Sequence, residues 1–571
     1  MSFEITCPYC FRKMQDTEVL FRSEKVNQGE CGLLPDEYDG IEDFKVRYDG
    51  PDKESILRGY QEWEFFAAGP DPVYEEFWAE FNGTTEYNPT DEVMPPYVKS
   101  YYRKVIDPSL PEHRRYLKPQ GPGDFFIRDQ GMVSGIELAS GNVTGKNICN
   151  RRVCPHCHNP LPDGYGRNPV KFATVIGITG AGKTIYLSQL LKDMTLYVVK
   201  AGLSAMDSGP EVQTFLDRNI VAAGAPLPGS TPFSQLQQPL FYEMSRDDGN
   251  QGRVQETFVL YDVAGEVFMR GDAALIRKFA PYVKHADGLI ILISPLQLRV
   301  VNSVMTEEER EKAKKEARPD TVFRTIHNIF AQENGNTRCK VPLAVCVSKA
   351  DLPMMQRVFS RDLQDMLRKN VEGVRDACGF YLPLFNATEY NPIFNELFRF
   401  FQNNEIDLAQ YIHTSYASYA YFAFTALGCS VEERKKIKDS EYERIKQQCK
   451  ERDMDPPPQY VPVDDPKIKD VLCERTAEGK LYVRSFPGGT ILPKRVEEPL
   501  LWLFSQLGYI ASDVLIDDPT KPKITCPACG SFATEELPED QREQVSGWWK
   551  FRKVEYFNRV CRECGHCWEQ N

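Results

Sequence analysis

The chain has 571 residues, of which 42% are hydrophobic and 26% charged, so it is long enough for several domains and is neither fibrous nor disordered in composition. Its 82 acidic residues outnumber its 69 basic ones, which disfavours a protein that binds nucleic acid mainly through phosphates. No apolar run is long enough to cross a bilayer, and the N-terminus MSFEITCPYC lacks the regions of a signal peptide. We therefore expect a soluble, cytoplasmic protein.

The first 165 residues carry two cysteine pairs around a segment without a clear pattern. Residues 1–14 place the first pair on a short predicted hairpin. Residues 15–149 are rich in Asp, Glu, Tyr, Pro and Gly and are predicted to be an insertion of undefined fold. The second pair follows within residues 150–165.

From Lys171 onward, strands and helices alternate. The predicted strands are FATVIGITG, PLFYEM, ETFVLYDVAG, GLIILIS, VPLAVCVS and YAYFAFTALG. The predicted helices are TIYLSQLLKDMTLYVV, VMTEEEREKAKKEA, TVFRTIHNIFAQ, a segment around 361–369, NELFRFFQ and VEEPLLWLFSQLG. This alternation predicts an α/β domain over residues 170–510, with a mainly parallel sheet flanked by helices. Residues 430–490 are charged and rich in proline, and we expect them to form an exposed helical excursion.

A phosphate-binding loop is predicted where the first of these strands ends. Residues 177–184, GITGAGKT, match G-x-x-x-x-G-K-[ST] between a strand and a helix. Glycines allow backbone amides to wrap around phosphates, and the helix N-terminus adds positive charge. Lys183 is expected to reach the β- and γ-phosphates, and Thr184 to bind Mg²⁺. The nucleotide contacts predicted here are Gly177, Gly180, Ala181, Gly182, Lys183, Thr184 and Ile185.

Three later segments are placed to complete a nucleotide site. The strand FVLYDVAGE ends with Asp262, which suits Mg²⁺ binding, and with Gly265, whose amide can approach the γ-phosphate. The strand VPLAVCVS is followed by Asp351, whose carboxylate can accept two hydrogen bonds from guanine but not from adenine. An alternative is that Asp351 caps a helix. The strand ending in Thr425-Ala426-Leu427 is placed to present its backbone to the guanine oxygen.

In chain order, these motifs resemble those of the Ras-like (TRAFAC-class) GTPases. Asp262–Gly265 is similar to the switch II motif, and Ser348–Asp351 to the base-recognition motif N/T-K-x-D, while Thr425–Leu427 resembles its S-A-x partner. FAFTALG, a large excursion and then VEEPLLWLF are similar to bacterial "double-GTPase" domains. The resemblance implies a Ras-like P-loop GTPase fold, GTP or GDP as ligand, Mg²⁺, and a role in bacterial defence or conflict systems. The base-binding residues that it implies are Ser348, Lys349, Asp351, Thr425, Ala426 and Leu427.

The chain departs from this pattern at three positions. Ser348 replaces the usual Asn or Thr of the base-recognition motif. Glu266 stands where Ras-type proteins place a water-orienting Gln, so we expect slow intrinsic hydrolysis. Thr231 is the best positional candidate for the switch I threonine, with a plain turn residue as the alternative.

Two cysteine pairs lie near the end of the chain, within residues 522–571. Cys526 and Cys529 are separated by 31 residues from Cys561 and Cys564. Thiolates two residues apart on a tight turn can provide two ligands of a tetrahedral Zn²⁺ site, and a second pair completes the site. This arrangement resembles a zinc ribbon.

The N-terminal pairs are expected to form a second, split ribbon from residues 1–14 and 150–165. Its ligands would be Cys7, Cys10, Cys154 and Cys157, although 143 residues separate Cys10 from Cys154. Closing that loop costs only about 1.4 kcal/mol more than closing one of 31 residues, whereas structural zinc contributes roughly 10–16 kcal/mol. Alternatives are pairing with the C-terminal cysteines, or His156 or His158 as a ligand. Two Zn²⁺ ions per chain are expected.

Three functions from different classes remain open from the sequence. The first is a Mg²⁺-dependent GTPase switch whose ribbons dock a protein partner, either an effector or a second GTPase. The second is a GTP-binding scaffold with poor hydrolysis. The third is an ATPase directed to nucleic acid by its ribbons, which the net negative charge and the SKAD motif disfavour.

Overall fold

The structure is a computed structural model of the 571-residue chain. None of its described helices combines the length and the hydropathy that a bilayer crossing requires. The residues that the structure describes are 3–22, 46–51, 53, 73–74, 76–78, 116–117, 119, 123–139, 148–178, 180–208, 211–222, 227–228, 238–247, 253–264, 268, 281–307, 319–334, 338–432, 435–437, 447, 460–462, 473–475, 481–483, 485–513, 534–536, 543–546, 553–556, 559–561 and 567–568.

Short antiparallel strands build the N-terminal part of the molecule. β1 and β2 form the hairpin predicted around the first cysteine pair. β3 pairs with both β4 and β8, and β6 pairs with both β5 and β7, so strands within the predicted insertion share a sheet with β8, which follows it. The bounds are β1 Glu4–Thr6, β2 Lys13–Gln15, β3 Leu20–Arg22, β4 Tyr116–Leu117, β5 Phe125–Asp129, β6 Met132–Glu137, β7 Ile148–Cys149 and β8 Arg152–Val153.

A seven-stranded sheet organises the rest of the chain. Its strands are β9 Val170–Gly177, β10 Leu203–Asp207, β11 Leu240–Asp247, β12 Arg253–Ala264, β13 Gly288–Ile293, β14 Leu343–Val347 and, after the short β15 Leu384–Phe385, β16 Tyr419–Ala423. The spatial order is β10-β11-β12-β9-β13-β14-β16. β11 is antiparallel to both of its neighbours, while the pairings from β12 to β16 are all parallel. The predicted α/β class with a mainly parallel sheet is confirmed.

Helices cover the sheet because parallel strands need both faces buried. Every residue of β13 and β14 is buried, in agreement with their continuous apolar sequences. The helices are α1 Lys183–Lys192, α2 Met194–Val199, α3 Glu211–Arg218, α4 Arg299–Val304, α5 Pro319–Asn334, α6 Pro353–Val358, α7 Arg361–Leu367, α8 Ala387–Asn404, α9 Ile406–Ser415 and α10 Glu498–Gln506.

Several elements differ from the sequence prediction. The single helix predicted after the phosphate loop is interrupted at Asp193, and β10, α3 and α9 were not predicted. The excursion was predicted to be helical, but Lys435–Ile437 forms a strand, β18, that pairs in parallel with Tyr460–Pro462, β19. A tertiary pairing outweighs local helix propensity there. Residues 308–317 and 438–446, also predicted as helix, lie outside the described residues.

The remaining strands are short. β17 pairs with β22, β20 with β21 and β15 with β23, while β24–β28 lie in the C-terminal segment. Their bounds are β17 Val431–Glu432, β20 Cys473–Arg475, β21 Leu481–Val483, β22 Phe486–Pro487, β23 Ala511–Ser512, β24 Thr534–Glu536, β25 Glu543–Ser546, β26 Lys553–Tyr556, β27 Arg559–Cys561 and β28 Cys567–Trp568.

A buried ion pair attaches the last helix of the sheet domain. Arg495 and Glu498 are almost fully buried, and the Arg495 Nε donates to Glu498 Oε2 at 3.1 Å. The Arg495 guanidinium also donates to Glu389 at 3.0 Å. The preceding residue, Lys494, exchanges two backbone hydrogen bonds with Thr425, of 2.8 and 3.0 Å. This pair therefore supports the segment that lies against one of the predicted base-binding residues.

Replacing Glu498 with Gln should destabilise the fold by about 3 kcal/mol, because it leaves a buried guanidinium with only one carboxylate partner. Urea denaturation followed by tryptophan fluorescence would measure the loss. The matched control is Asp365→Asn, which removes the exposed pair between Asp365 and Arg368 and should change stability by less than about 1 kcal/mol. Equal effects of both variants would contradict this account.

Candidate nucleotide site and cysteine centre

The predicted nucleotide-binding residues gather at one edge of the sheet. The phosphate loop follows β9, Asp262 lies near the end of β12, Ser348–Asp351 follows β14, and Thr425 follows β16. These four strands run parallel, so their carboxyl ends share one edge. Open parallel sheets bind ligands at this edge.

The phosphate loop has the geometry that its glycines predict. Gly182 precedes α1 with φ of 72°, in the left-handed region that favours glycine. At Gly177, an added Cβ would lie 2.5 Å from the Cβ of Lys183, so the loop closes only around a glycine. α1 begins at Lys183 without a side-chain cap and without an acidic residue in its first turn. Its first amides are therefore suited to an anion.

Lys183 and Asp262 meet in a buried ion pair. The ammonium of Lys183 donates to Asp262 Oδ1, and the two residues are only 7% and 3% exposed. Buried charges of this kind require an opposite charge nearby. The donor set suits Mg²⁺ and phosphate, since an ammonium and helix amides bind phosphate oxygens, while a carboxylate and the Thr184 hydroxyl are oxygen ligands of the type that Mg²⁺ prefers.

The predicted base-binding residues are connected to the phosphate loop. Lys349 Nζ donates to the carbonyl oxygen of Gly180 at 2.6 Å. Thr425 Oγ1 donates to Asp351 Oδ1 at 3.2 Å, which joins the segments that follow β14 and β16. Ser348 is buried, and its Oγ donates to the Ile293 carbonyl at 3.1 Å. The serine hydroxyl thus braces β14 against β13.

Asp351 is not the cap of the helix that follows it. The N-cap residue of α6 is Leu352, and α6 has no side-chain cap. Partial burial raises the pKa of Asp351, and the hydrogen bond from Thr425 acts in the opposite direction. Its carboxylate is thus placed for a role other than helix capping.

Three of the predicted site residues lie outside the part of the chain that the structure describes. They are Thr231, Gly265 and Glu266. Ala181 is buried in the phosphate loop, Ile185 lies in the first turn of α1, and Ala426 is partly buried against the core. Leu427 accepts a backbone hydrogen bond of 2.7 Å from Leu492.

Residues 171–377 match the family "Double-GTPase 2". This segment is a P-loop GTPase domain of the double-GTPase type. The matched residues include the phosphate loop, Asp262 and Asp351, and they end before Thr425. Family membership of this segment supports GTP binding.

Similar proteins were also found among curated sequences and solved structures. The chain is 26% identical over 213 residues, 35% of its length, to the "Putative ESX-1 scaffolding and assembly protein SaeC" of Mycolicibacterium smegmatis. It spans about half of that relative, 51%. A crystal structure of sup35 complexed with GDP shares 15% identity over 45% of this chain and 38% of that chain, with a TM-score of 0.18. The G domain of the T. maritima FeoB iron transporter shares 12% identity over 35% of this chain and 83% of that chain, with a TM-score of 0.14.

The N-terminal cysteines form a second candidate site. Cys7, Cys10, Cys154 and Cys157 place their Sγ atoms within 4.8 Å of one another. The Cys7–Cys157 and Cys10–Cys154 sulfur distances are both 3.7 Å. A tetrahedral zinc site with Zn–S bonds of about 2.3 Å has sulfur–sulfur edges of about 3.8 Å. The four thiols therefore fit one zinc ion.

The two halves of this cysteine centre repeat one backbone pattern. Cys7 N donates to the Arg12 carbonyl, and Phe11 N donates to the Cys7 carbonyl. Cys154 makes the equivalent bonds with Asn159 and His158. Phe11 and His158 occupy matching positions, and both have positive φ, 57° and 53°. In each half, the amide two residues after the first cysteine donates to its sulfur at 3.4 Å.

The surroundings favour cationic charge at the cysteine centre. Burial raises the pKa of the Cys7 and Cys157 thiols, so thiolates there need a positive charge such as a metal ion. His156 and His158 are not members of the cluster in the described part of the chain.

The C-terminal ribbon and the second zinc stay predictions. Cys526, Cys529 and Cys564 lie outside the described residues, as does the side chain of Cys561.

The sequence did not indicate which distant residues support the two sites. Tyr261, next to Asp262, donates from its hydroxyl to the carbonyl of Pro8 at 2.7 Å. Lys494 exchanges backbone hydrogen bonds with Thr425. Both contacts join residues remote in the chain and depend on backbone carbonyls, for which local sequence carries no signal.

Replacing Cys154 with Ser should release the zinc of the N-terminal centre, because three thiolates and a hydroxyl bind zinc far more weakly than four thiolates. Metal analysis of the purified variant should show one zinc per chain fewer than the parent. Cys378→Ser, at an exposed thiol outside the cluster, is the control and should keep the parent's metal content. Unchanged zinc in the Cys154 variant would exclude this ligand set.

Proposed function

We propose that the protein is a Mg²⁺-dependent GTP-binding protein that hydrolyses GTP to GDP and phosphate and acts as a nucleotide switch. The observation that carries this proposal is the bond from Lys349 Nζ to the Gly180 carbonyl. It ties the segment holding Asp351 to the phosphate loop. A nucleotide with its phosphates in the loop would therefore meet Asp351 at a set distance from them.

The phosphate end of this site would be formed by the loop and its lysine. Amides at the start of α1 and the Lys183 ammonium would bind the phosphate oxygens. Thr184 and Asp262 would hold Mg²⁺, whose charge neutralises phosphate oxygens. Lys183 and Asp262 would each exchange their mutual contact for a phosphate or a metal of opposite charge.

The base end of the site favours guanine. An ionised Asp351 can accept hydrogen bonds from the guanine N1–H and the exocyclic amine, and adenine offers no such pair. Thr425 donates to one of its carboxylate oxygens and would hold the carboxylate in place. Ala426 and Leu427 follow on the same segment and would present their backbone to the guanine oxygen. Equal affinity for ATP would instead favour the nucleic-acid-directed ATPase.

Hydrolysis is expected to need a partner. Glu266 would bring a second negative charge towards the γ-phosphate, where the related enzymes use a neutral side chain. A protein partner, either an effector or a second GTPase, would supply the missing group. The cysteine modules are candidates for docking that partner, and a bacterial defence or conflict system is the setting that the family resemblance implies.

A second candidate function is a GTP-binding assembly scaffold that hydrolyses poorly. Two observations favour it: the glutamate at position 266, and the similarity to SaeC, whose printed name describes scaffolding and assembly. In that case, bound GTP would stabilise one conformation for assembly. Hydrolysis measurements with and without partners separate the two candidates.

Replacing Asp351 with Asn should weaken GTP binding at least tenfold and improve the binding of xanthosine nucleotides, because the amide replaces one acceptor with a donor. Titration with fluorescent GDP, GTP and XTP analogues would measure the change. Asp362→Asn, at an exposed residue of α7, should leave the affinities unchanged.

The pH dependence of GTP binding gives a further prediction, because the pKa of Asp351 is raised. As the solution is acidified, the parent should lose GTP affinity at a higher pH than a site with an ordinary aspartate would.

Single-turnover hydrolysis of GTP by the isolated protein should be slow, about 10⁻⁴–10⁻³ s⁻¹, as in an unassisted Ras-like site. The measurement is release of labelled phosphate from a stoichiometric GTP complex. Glu266→Gln tests the cause, since restoring a neutral water-orienting side chain should raise the rate. A parent rate above about 1 s⁻¹ falls in the assisted range and would show that the chain contains its own activating residue.

A further inference from the structure

The N-terminal cysteine centre packs directly on the strand that carries Asp262. Pro8 lies between Cys7 and Cys10, and its carbonyl accepts the hydrogen bond from Tyr261. The Phe11 ring, at the end of the same turn, stacks on His285 with a centroid distance of 4.6 Å and an interplanar angle of 8°. It also contacts the Tyr261 ring at 5.8 Å. The cysteine turn therefore rests on an aromatic surface of the GTPase domain.

Two adjacent residues of β12, Tyr261 and Asp262, contact the cysteine turn and the phosphate loop respectively. Successive residues of a strand point to opposite faces of the sheet, and here Tyr261 contacts Pro8 while Asp262 contacts Lys183. A shift of Tyr261 along or across the strand would move the adjacent carboxylate as well. The cysteine turn and the phosphate loop thus hold neighbouring residues of one strand from opposite faces.

A second tyrosine closes this connection. The rings of Tyr261 and Tyr282 stack with a centroid distance of 4.6 Å and an angle of 5°. Tyr282 Oη donates to the backbone carbonyl of Asp262 at 3.4 Å. Both tyrosines are almost completely buried. Two tyrosines therefore restrain the backbone at Asp262. Tyr261 is covalently joined to it, and Tyr282 is hydrogen-bonded to its carbonyl.

The position of Pro8 depends on the cysteine ligands. Its turn is closed by the Cys7–Arg12 and Phe11–Cys7 backbone bonds, and by the bond from Tyr9 N to Cys7 Sγ. A zinc ion would offset part of the negative charge of the four clustered thiolates and fix both cysteines that flank Pro8 and Tyr9. Loss of the ion would leave these buried sulfurs without their cation and loosen the turn.

We propose that the cysteine centre and the nucleotide site are energetically coupled through Tyr261 and Tyr282, which act as positioning residues for Asp262. With zinc bound, its cysteine ligands would hold the Pro8 turn, the turn would hold Tyr261, and Tyr261 with Tyr282 would hold the Asp262 peptide in the position that Mg·GTP requires. This inference rests on the proposed GTP-binding function. It assigns to the N-terminal zinc a regulatory role in addition to any docking role.

Coupling between two binding sites is reciprocal. If zinc strengthens Mg·GTP binding by a given factor, then Mg·GTP must strengthen zinc binding by the same factor. Couplings of this kind are commonly about 5- to 150-fold. The two sites can therefore be tested from either direction, and no measurement of hydrolysis is needed.

The experiment measures the zinc affinity of the full-length protein by equilibrium competition with a chromogenic chelator, with and without saturating Mg·GTPγS. Background Cys561→Ser removes the C-terminal contribution, so that the signal reports the N-terminal centre. We expect the nucleotide to raise the zinc affinity at least about fivefold, measured as the ratio of the affinities with and without nucleotide. Tyr261→Phe keeps the ring but removes the bond to Pro8, and it should reduce this ratio towards one while zinc is still bound.

Tyr390→Phe is the matched control. Its buried hydroxyl donates to the Tyr421 carbonyl at 2.5 Å, so the substitution removes the same type of bond from the same sheet without touching the cysteine turn. The ratio should keep its parent value in this variant. An equal loss of the ratio in both variants would mean that general destabilisation, and not the Pro8 contact, is responsible, and would overturn the proposal.

Direct GTPγS titration of the same samples separates the two levels of inference. If the nucleotide binds and the zinc affinity is unchanged, the coupling is wrong and the proposed function stands. If no nucleotide binds, the proposed GTP-binding function is itself wrong, and the coupling that rests on it falls with it. Hydrogen exchange of the peptide covering residues 4–15 gives a second readout in the unsubstituted protein. Slower exchange on adding Mg·GTPγS is expected, and no change at bound nucleotide would also overturn the coupling.

Discussion

The pairing of β9 with β12 is the constraint on which the nucleotide site depends. The parallel register sets Gly177 opposite Ala264 and Val175 opposite Asp262, so the phosphate loop begins beside the end of β12, the strand that carries Asp262. Lys183, the first residue of α1, then reaches Asp262 in a buried pair. Neither charge is stable in that position alone. A different register would remove the pair and separate the residues proposed to bind phosphate from those proposed to bind Mg²⁺.

The rest of the site follows from the order of the neighbouring strands. β13 lies between β9 and β14, and Ser348 braces β14 through the carbonyl of Ile293 at the end of β13. That contact positions the turn of Lys349, a residue with φ of 53°, whose ammonium reaches back to the phosphate loop. The base-recognition segment therefore depends on the same central strands as the phosphate loop.

The cysteine centre extends this arrangement to the N-terminal part of the chain. Its ligands come from turns that are far apart in sequence, and its first turn packs on aromatic side chains of the GTPase domain. A module built in this way differs from a ribbon on a linker, because its turn packs directly on the strand that carries Asp262. Loop-closure entropy rises only with the logarithm of loop length, so a long insertion between the two halves is compatible with one metal centre.

Much of the nucleotide site could be predicted from sequence because its chemistry restricts residue type. An added Cβ at Gly177 would clash with Lys183, and the φ of Gly182 favours glycine. Since a phosphate loop also needs the lysine that follows, the motif and its strand–helix context predicted the loop. Continuous apolar runs likewise predicted β13 and β14, since parallel strands are buried on both faces. The shared spacing of the cysteine pairs predicted that Cys7, Cys10, Cys154 and Cys157 come together.

Tertiary structure alone decided the features that rest on backbone contacts and on pairing. β10 lies at the sheet edge, most of its residues are exposed, and its apolar and polar residues do not alternate strictly. Lys435–Ile437 is a strand because it pairs with Tyr460–Pro462. The contact between Tyr261 and Pro8 is of the same kind. A carbonyl oxygen is present at every residue, so sequence cannot show which carbonyl a distant tyrosine will find. Motifs thus reveal sites whose chemistry demands particular side chains, whereas the connections between those sites depend on how the chain packs.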